Sequence, residues 1–240
     1  MPNIYNQIRF DLQKLANPTK ATILSGFFKT SKGQYGEGDK FIGITVPLQR
    51  EIAKKYYESA SFVDLQKMLE SKIHEYRLTS LLILVYKYDK TKNEKLKKEI
   101  YNFYLKNLQY INNWDLVDVT TPNIVGDYLL NNPKEKKILY KLVKSKNLWE
   151  RRVAILATFR FIKEKQFEDT LAISEILLND THDLIHKAVG WMLREMGKRD
   201  IKPLVKFLDQ HAIMMPRTML RYAIEKFPEE TRKYYLNLGK

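Results

Sequence analysis

Five stretches of this 240-residue chain fall into one register without gaps, and that recurrence limits the fold more than any other feature. They are HEYRLTSLL, WDLVDVTTP, WERRVAILA, LIHKAVGWM and MLRYAIEKF, aligned on Arg77, Asp118, Arg152, Lys187 and Arg221. The intervals are 41, 34, 35 and 34 residues, the period of helical hairpins stacked as HEAT or armadillo arrays. Two residues beyond each aligned position stands a small or β-branched side chain: Thr79, Thr120, Ala154, Val189 and Ala223. Such residues belong where one helix packs tightly against the next.

Apolar residues recur at three- and four-residue spacing along nearly the whole chain, as in VPLQREIAKKYYE, FVDLQKMLESKI and KKILYKLVKSK, which is the helical pattern. Strand alternation is nearly absent, and 9 glycines and 8 prolines fall mostly at the breaks between periodic segments. The chain therefore reads as all-α, an α-solenoid of HEAT-like or armadillo-like repeats over residues 1–240 as a single domain, with a basic concave face. The long interruption is KTSKGQYGEGDKFIG, Lys29 to Gly43, which reads as an ordered loop. Its four glycines suggest a phosphate-cradling P-loop, but the GK[ST] ending is missing and no strand pattern precedes it.

Lys and Arg number 42 against 28 Asp and Glu, a net charge of +14, which points to a polyanionic partner, nucleic acid ahead of an anionic membrane surface. The absence of cysteine excludes disulfides, thiolate metal sites and cysteine nucleophiles. The opening MPNIYNQIRFDLQKLA has no apolar stretch of signal-peptide length, and no run could cross a bilayer, so a cytoplasmic protein is expected, held at the nucleoid by DNA. HDLIH, His182 to His186, resembles a zinc motif with Asp183 in place of its glutamate, but no third ligand is evident. His182 fits better at a helix start, after the cap-type residues Asp180 and Thr181. No metal, no cofactor and a monomer are expected.

In a solenoid, equivalent positions of successive repeats share one surface. Four of the five aligned residues are cationic, which makes a groove suited to phosphates. Asp118 is the anion in that column, and two readings compete. It could pair with Arg77 or Arg152 and stabilise the stack, or it could be a carboxylate aimed at positive charge developing in a bound substrate. Trp114 lies four residues before Asp118, on the same helical face. Trp191 lies four after Lys187, at a position where Leu81 and Leu156 suggest core. An indole face beside a carboxylate also suits a cationic or flat ligand.

FFKTSKGQYGEGDKFIGITVP, NNWDLVD, LWERRVAIL and HKAVGWMLREMGKRD, in that order over most of the chain, resemble the AlkD-like DNA alkylation-repair glycosylases, a HEAT-like all-helical family. The resemblance implies excision of cationic alkylated purines, such as 7-alkylguanine and 3-alkyladenine, from double-stranded DNA. It matches Asp118 to the catalytic aspartate, Trp114 and Trp191 to two indoles at the sugar, and Arg152, or its neighbour Arg151, to a backbone-contacting arginine. The family's N-terminal aromatic near the lesion falls at Phe27 or Phe28. Arg77, Arg152, Lys187, Arg194, Arg221 and Phe27 are the expected DNA contacts. The alternatives are a non-catalytic binder of damaged or branched DNA on the same scaffold, or a protein-interaction scaffold.

Overall fold

Side-chain oxygens open many of the helices, each accepting from an amide that the first turn leaves without a partner. In the computed structural model, which describes residues 3–239, Asn3 caps α1 (Ile4–Lys14) and Asn17 caps α2 (Pro18–Phe27). The Lys29 to Gly43 loop follows, then α3 (Val46–Tyr56), which VPLQREIAKKYYE forms as its spacing predicts. Ser61 and Asp64 form a reciprocal capping box at the start of α4 (Phe62–Leu69). FVDLQKMLESKI leaves the helix at Leu69, short of its apparent periodicity. α5 (His74–Lys90), α6 (Glu94–Lys106) and the single-turn α7 (Trp114–Asp118) complete a first compact unit, which ends at Ile124.

The second compact unit begins at Val125. It holds α8 (Asp127–Asn131), α9 (Lys137–Leu142), α10 (Leu148–Lys163), α11 (Glu168–Ile176), α12 (Asp183–Gly197), α13 (Ile201–His211), α14 (Arg217–Ala223) and α15 (Glu229–Asn237). α10, α12 and α14 pack in succession; α9 lies against α10, α11 against α10 and α12, and α13 against α12. This is the stacked-hairpin arrangement that the repeat period predicts. The fold class is all-α: among the described residues the only β pairing is an isolated parallel bridge between Lys40 and Ile73. No described helix is long and apolar enough to cross a membrane.

The repeat register identifies the helix contacts. Thr79, Thr120, Ala154, Val189 and Ala223 are all buried. Within the first unit α5 packs on α3, α4, α6 and α7, and every residue from His74 to Val85 is buried. A helix covered on all sides must bring partners for its polar side chains. Within the second unit α12 meets α14 at backbone distance, because a Cβ on Gly190 would stand 2.4 Å from the Met219 carbonyl oxygen and 2.5 Å from the Tyr222 Cβ.

Two glycine substitutions should therefore act in opposite directions. Gly26 in α2 has nothing within 4 Å of an added Cβ, so Gly26→Ala should raise the unfolding free energy by up to about 1 kcal/mol through helix propensity. Gly190→Ala should lower it by about 1–3 kcal/mol, since overpacking outweighs propensity there. Urea denaturation of the two variants checks both signs.

Candidate active site

α7 is a single turn held from both ends. Asn113 accepts from the Trp114 amide at 2.8 Å, and a π-helical turn, Pro122–Gly126, follows closely. The chain between them carries Thr120 and Thr121, whose hydroxyls meet the Tyr104 hydroxyl at 2.9 and 2.8 Å inside the first unit. Burial pushes the Tyr104 phenol up to about 12, and the negative charge of Asp118 adds to the shift. Asp118 is half-buried and is the last residue of α7. A carboxylate at a helix C-terminus faces the negative end of the dipole, so the helix itself does not favour an acid there.

Trp114 is half-buried and one indole face is already covered. Phe28 stacks on it with centroids 5.1 Å apart and planes 14° apart, while Phe27 meets it edge-on at 5.9 Å. The two candidate N-terminal aromatics thus both reach Trp114, in different roles. Phe28 is sealed in the stack, and Phe27 is 61% exposed at the end of α2. Phe28 also contacts Phe41 at 5.0 Å and the His74 ring at 5.0 Å.

Beneath the aromatics lies a buried polar cluster. Glu75 accepts from the amides of Ile42, Gly43 and Ile44 at 3.1, 2.8 and 3.3 Å. The loop is further tied by Lys40 N donating to the Lys72 carbonyl and His74 N to the Lys40 carbonyl. Gly43 has φ +83°, and a Cβ there would stand 2.0 Å from the Asn17 carbonyl oxygen, so only glycine fits. The glycine-rich stretch is an ordered loop, as the sequence predicts, and its amides face a carboxylate. Asp39 accepts from Arg77 Nη2 at 2.7 Å, Asn113 Nδ2 at 3.3 Å and His74 Nδ1 at 3.0 Å. His74 and Arg77 hold the Asp39 carboxyl below its ordinary range in spite of burial.

The cationic column is corrected in two of its members. Arg77 is 4% exposed and bound to Asp39 and to the Ser71 carbonyl, so it is an internal brace and no surface contact. Arg151, and not Arg152, repeats this geometry: Arg151 Nη1 donates to the Ser145 carbonyl six residues back, as Arg77 does to Ser71, and its Nε takes Asp180 at 2.6 Å. Arg77 and Arg151 are both the fourth residue of their helices, whereas Asp118, Arg152, Lys187 and Arg221 are the fifth. Arg152 is also buried, with Nη1 donating to the Leu184 carbonyl. Lys187 is partly exposed and pairs with Asp183 at 2.7 Å. Arg194 is partly exposed and pairs with Glu225 and Glu195. Arg221 is exposed.

Trp191 lies in the second unit, half-buried and 5.9 Å from Phe159, while Leu156 at the equivalent position is fully buried; Leu81, also fully buried, stands one place off that register. His182 caps α12, accepting from the Leu184 amide through Nδ1 at 3.1 Å, and burial lowers its pKa. His186 contacts the Asp180 carbonyl. Among the described residues no group of three or more His, Cys, Asp or Glu could hold a metal ion.

A family model described as DNA alkylation repair enzyme matches residues 8–227. No curated protein matches the chain. Among solved structures, a predicted DNA alkylation repair enzyme from Enterococcus faecalis superposes with a TM-score of 0.69 at 16% identity, covering 89% of this chain and 97% of that one. AlkD2 from Streptococcus mutans gives 0.55 at 18% identity, covering 88% and 98%. The smu.31 protein of Streptococcus mutans UA159 gives 0.56 at 19%, covering 77% and 93%. At these identities the structures share the helical-repeat fold.

The carboxylate that anchors the loop can be tested without any activity. Glu75→Ala leaves the buried amides of Gly43 and Ile44 and the half-buried amide of Ile42 without an acceptor, and should cost about 2–6 kcal/mol of stability, at roughly 1–3 kcal/mol for each of the two buried groups. Amide hydrogen exchange should accelerate at Ile42, Gly43 and Ile44 before it does at the centre of α5.

Proposed function

Because the chain belongs to the DNA alkylation repair enzyme family, we propose that it is a DNA glycosylase that releases cationic alkylated purines, 7-alkylguanine and 3-alkyladenine, from duplex DNA. The observation that carries this reading is the half-buried Asp118 at the end of α7, one turn from a partly exposed indole and with the exposed Phe27 against that indole.

The chemistry follows from charge. A purine alkylated at N7 or N3 is already cationic and leaves without protonation, so no general acid is required. As the N-glycosidic bond lengthens, positive charge passes to the deoxyribose. A fixed carboxylate beside the sugar is attracted more strongly to that oxocarbenium-like state than to the ground state, and it can also orient the attacking water. The indole of Trp114, one turn before Asp118, adds the attraction of an aromatic face for the developing cation. Selection then comes from the charge and lability of the lesion, with little reading of base edges. Lys187, Arg194 and Arg221 take the phosphate role, since Arg77 and Arg152 are buried.

Purified protein should release 7-methylguanine from methylated duplex DNA. Asp118→Asn should cut the rate on the order of 10²- to 10³-fold, the usual cost of one electrostatic contact to a transition state, with DNA affinity unchanged. Undiminished release by the variant would sink the mechanism. Salt-sensitive DNA binding without release by the wild type would indicate a non-catalytic binder, and absence of DNA binding at low salt a protein-interaction scaffold.

A further inference from the structure

Within the first unit, one buried histidine has a carboxylate on each ring nitrogen. His74 is 1% exposed; its Nδ1 lies 3.0 Å from Asp39 Oδ2 and its Nε2 2.8 Å from Asp115 Oδ2. An ionised carboxylate only accepts, and a neutral imidazole donates from one nitrogen alone. Both contacts are hydrogen bonds only when the ring is an imidazolium. Arg77 on the second Asp39 oxygen completes two cations against two anions, a combination that a buried site can hold.

The ring joins three segments: Asp39 belongs to the loop, His74 to the start of α5, and Asp115 to α7, where it stands between Trp114 and Asp118 in sequence. The imidazole also stacks on Phe41 at 4.6 Å and touches Phe28, the ring on which Trp114 is stacked. None of this was visible in the repeat pattern. We propose that His74 is a positioning residue, which as an imidazolium ties Asp39 of the loop to Asp115 of α7 and so holds Trp114 and Asp118 in their working orientation. Its effect on catalysis rests on the glycosylase reading; its effect on Trp114 does not.

The charged groups facing the ring are Asp39 from the loop, Asp115 from α7 and Arg77 from its own helix, 3.5 Å from Nδ1. Burial works against the charge, but the Asp115 carboxylate and then Asp39 outweigh it and raise His74 from 6.5 to about 9, with Arg77 opposing. The folded value lies above the unfolded one. The stability that the tie gives the fold is therefore complete below about 6.5 and is lost as pH rises through about 9.

The test begins with wild-type protein carrying ¹⁵N-labelled histidine. Both His74 ring nitrogens should be protonated at neutral pH and lose one proton near pH 9. Asp115→Asn should move that transition down by about one pH unit or more, the size of losing one adjacent carboxylate. The alkaline limb of base release should follow the same midpoint and move with it. His74→Gln should lower kcat on the order of tenfold to a hundredfold, the cost of a slightly misplaced group, and abolish that limb. A His74 ring with one bare nitrogen at neutral pH, or an alkaline limb that Asp115→Asn leaves in place, would overturn the proposal. If the wild type releases no base at any pH, the glycosylase reading fails, and Trp114 emission decides for His74. In protein with Trp149→Phe and Trp191→Phe, emission that shifts with the ring titration supports the tie, and emission indifferent to it refutes it.

Discussion

The structure around the candidate site depends on how the first turn of α5 satisfies three ionisable side chains inside the protein. His74, Glu75 and Arg77 are all buried, and removing a charge from water costs several kcal/mol unless a partner replaces the water. The glycine-rich loop supplies those partners. Its amides at Ile42, Gly43 and Ile44 converge on Glu75, and its Asp39 receives both Arg77 and His74. A loop of fifteen residues with four glycines would otherwise be costly to order. Here the buried charges and the loop each remove the penalty of the other, which is why the loop lies against α5 and carries Phe41 into the aromatic stack.

That anchorage extends to the site by contact. Phe41 and His74 pack against Phe28, and Phe28 covers one face of Trp114. Asp115 and Asn113, on either side of Trp114, reach His74 and Asp39. On the far end of α7, the buried hydroxyls of Tyr104, Thr120 and Thr121 fix the chain just after Asp118. A single helical turn has almost no stability of its own. Its geometry is imposed by the groups packed around it, and an acid at its C-terminal end is tolerated for the same reason.

The repeat register shows both the reach of sequence pattern and where it slips. The small residues at Thr120, Ala154, Val189 and Ala223 were legible because close helix packing demands small or β-branched side chains at a fixed period, and all four are buried; Thr79, buried like every residue from His74 to Val85, stands one place off that period. The cation at Arg77 was matched to Arg152, because two adjacent arginines satisfy a charge pattern equally well. Only the shared carbonyl contact six residues back shows that Arg151 is the equivalent. Charge by itself also says nothing of burial, so arginines committed to internal acceptors looked the same as those at the surface.

What the sequence determined by itself was the period, the helical class, the loop between Lys29 and Gly43, and the pairing of Trp114 with Asp118 on one turn, since each is a property of spacing along the chain. The contacts of His74 were not legible, because Asp39 and Asp115 stand 35 and 41 residues away on opposite sides of it. Neither carries a pattern that marks it as a partner. Tertiary structure alone decided which charges went inside. An ion pair between distant segments exists only when the chain has already brought them together, and its strength depends on the water that folding removes.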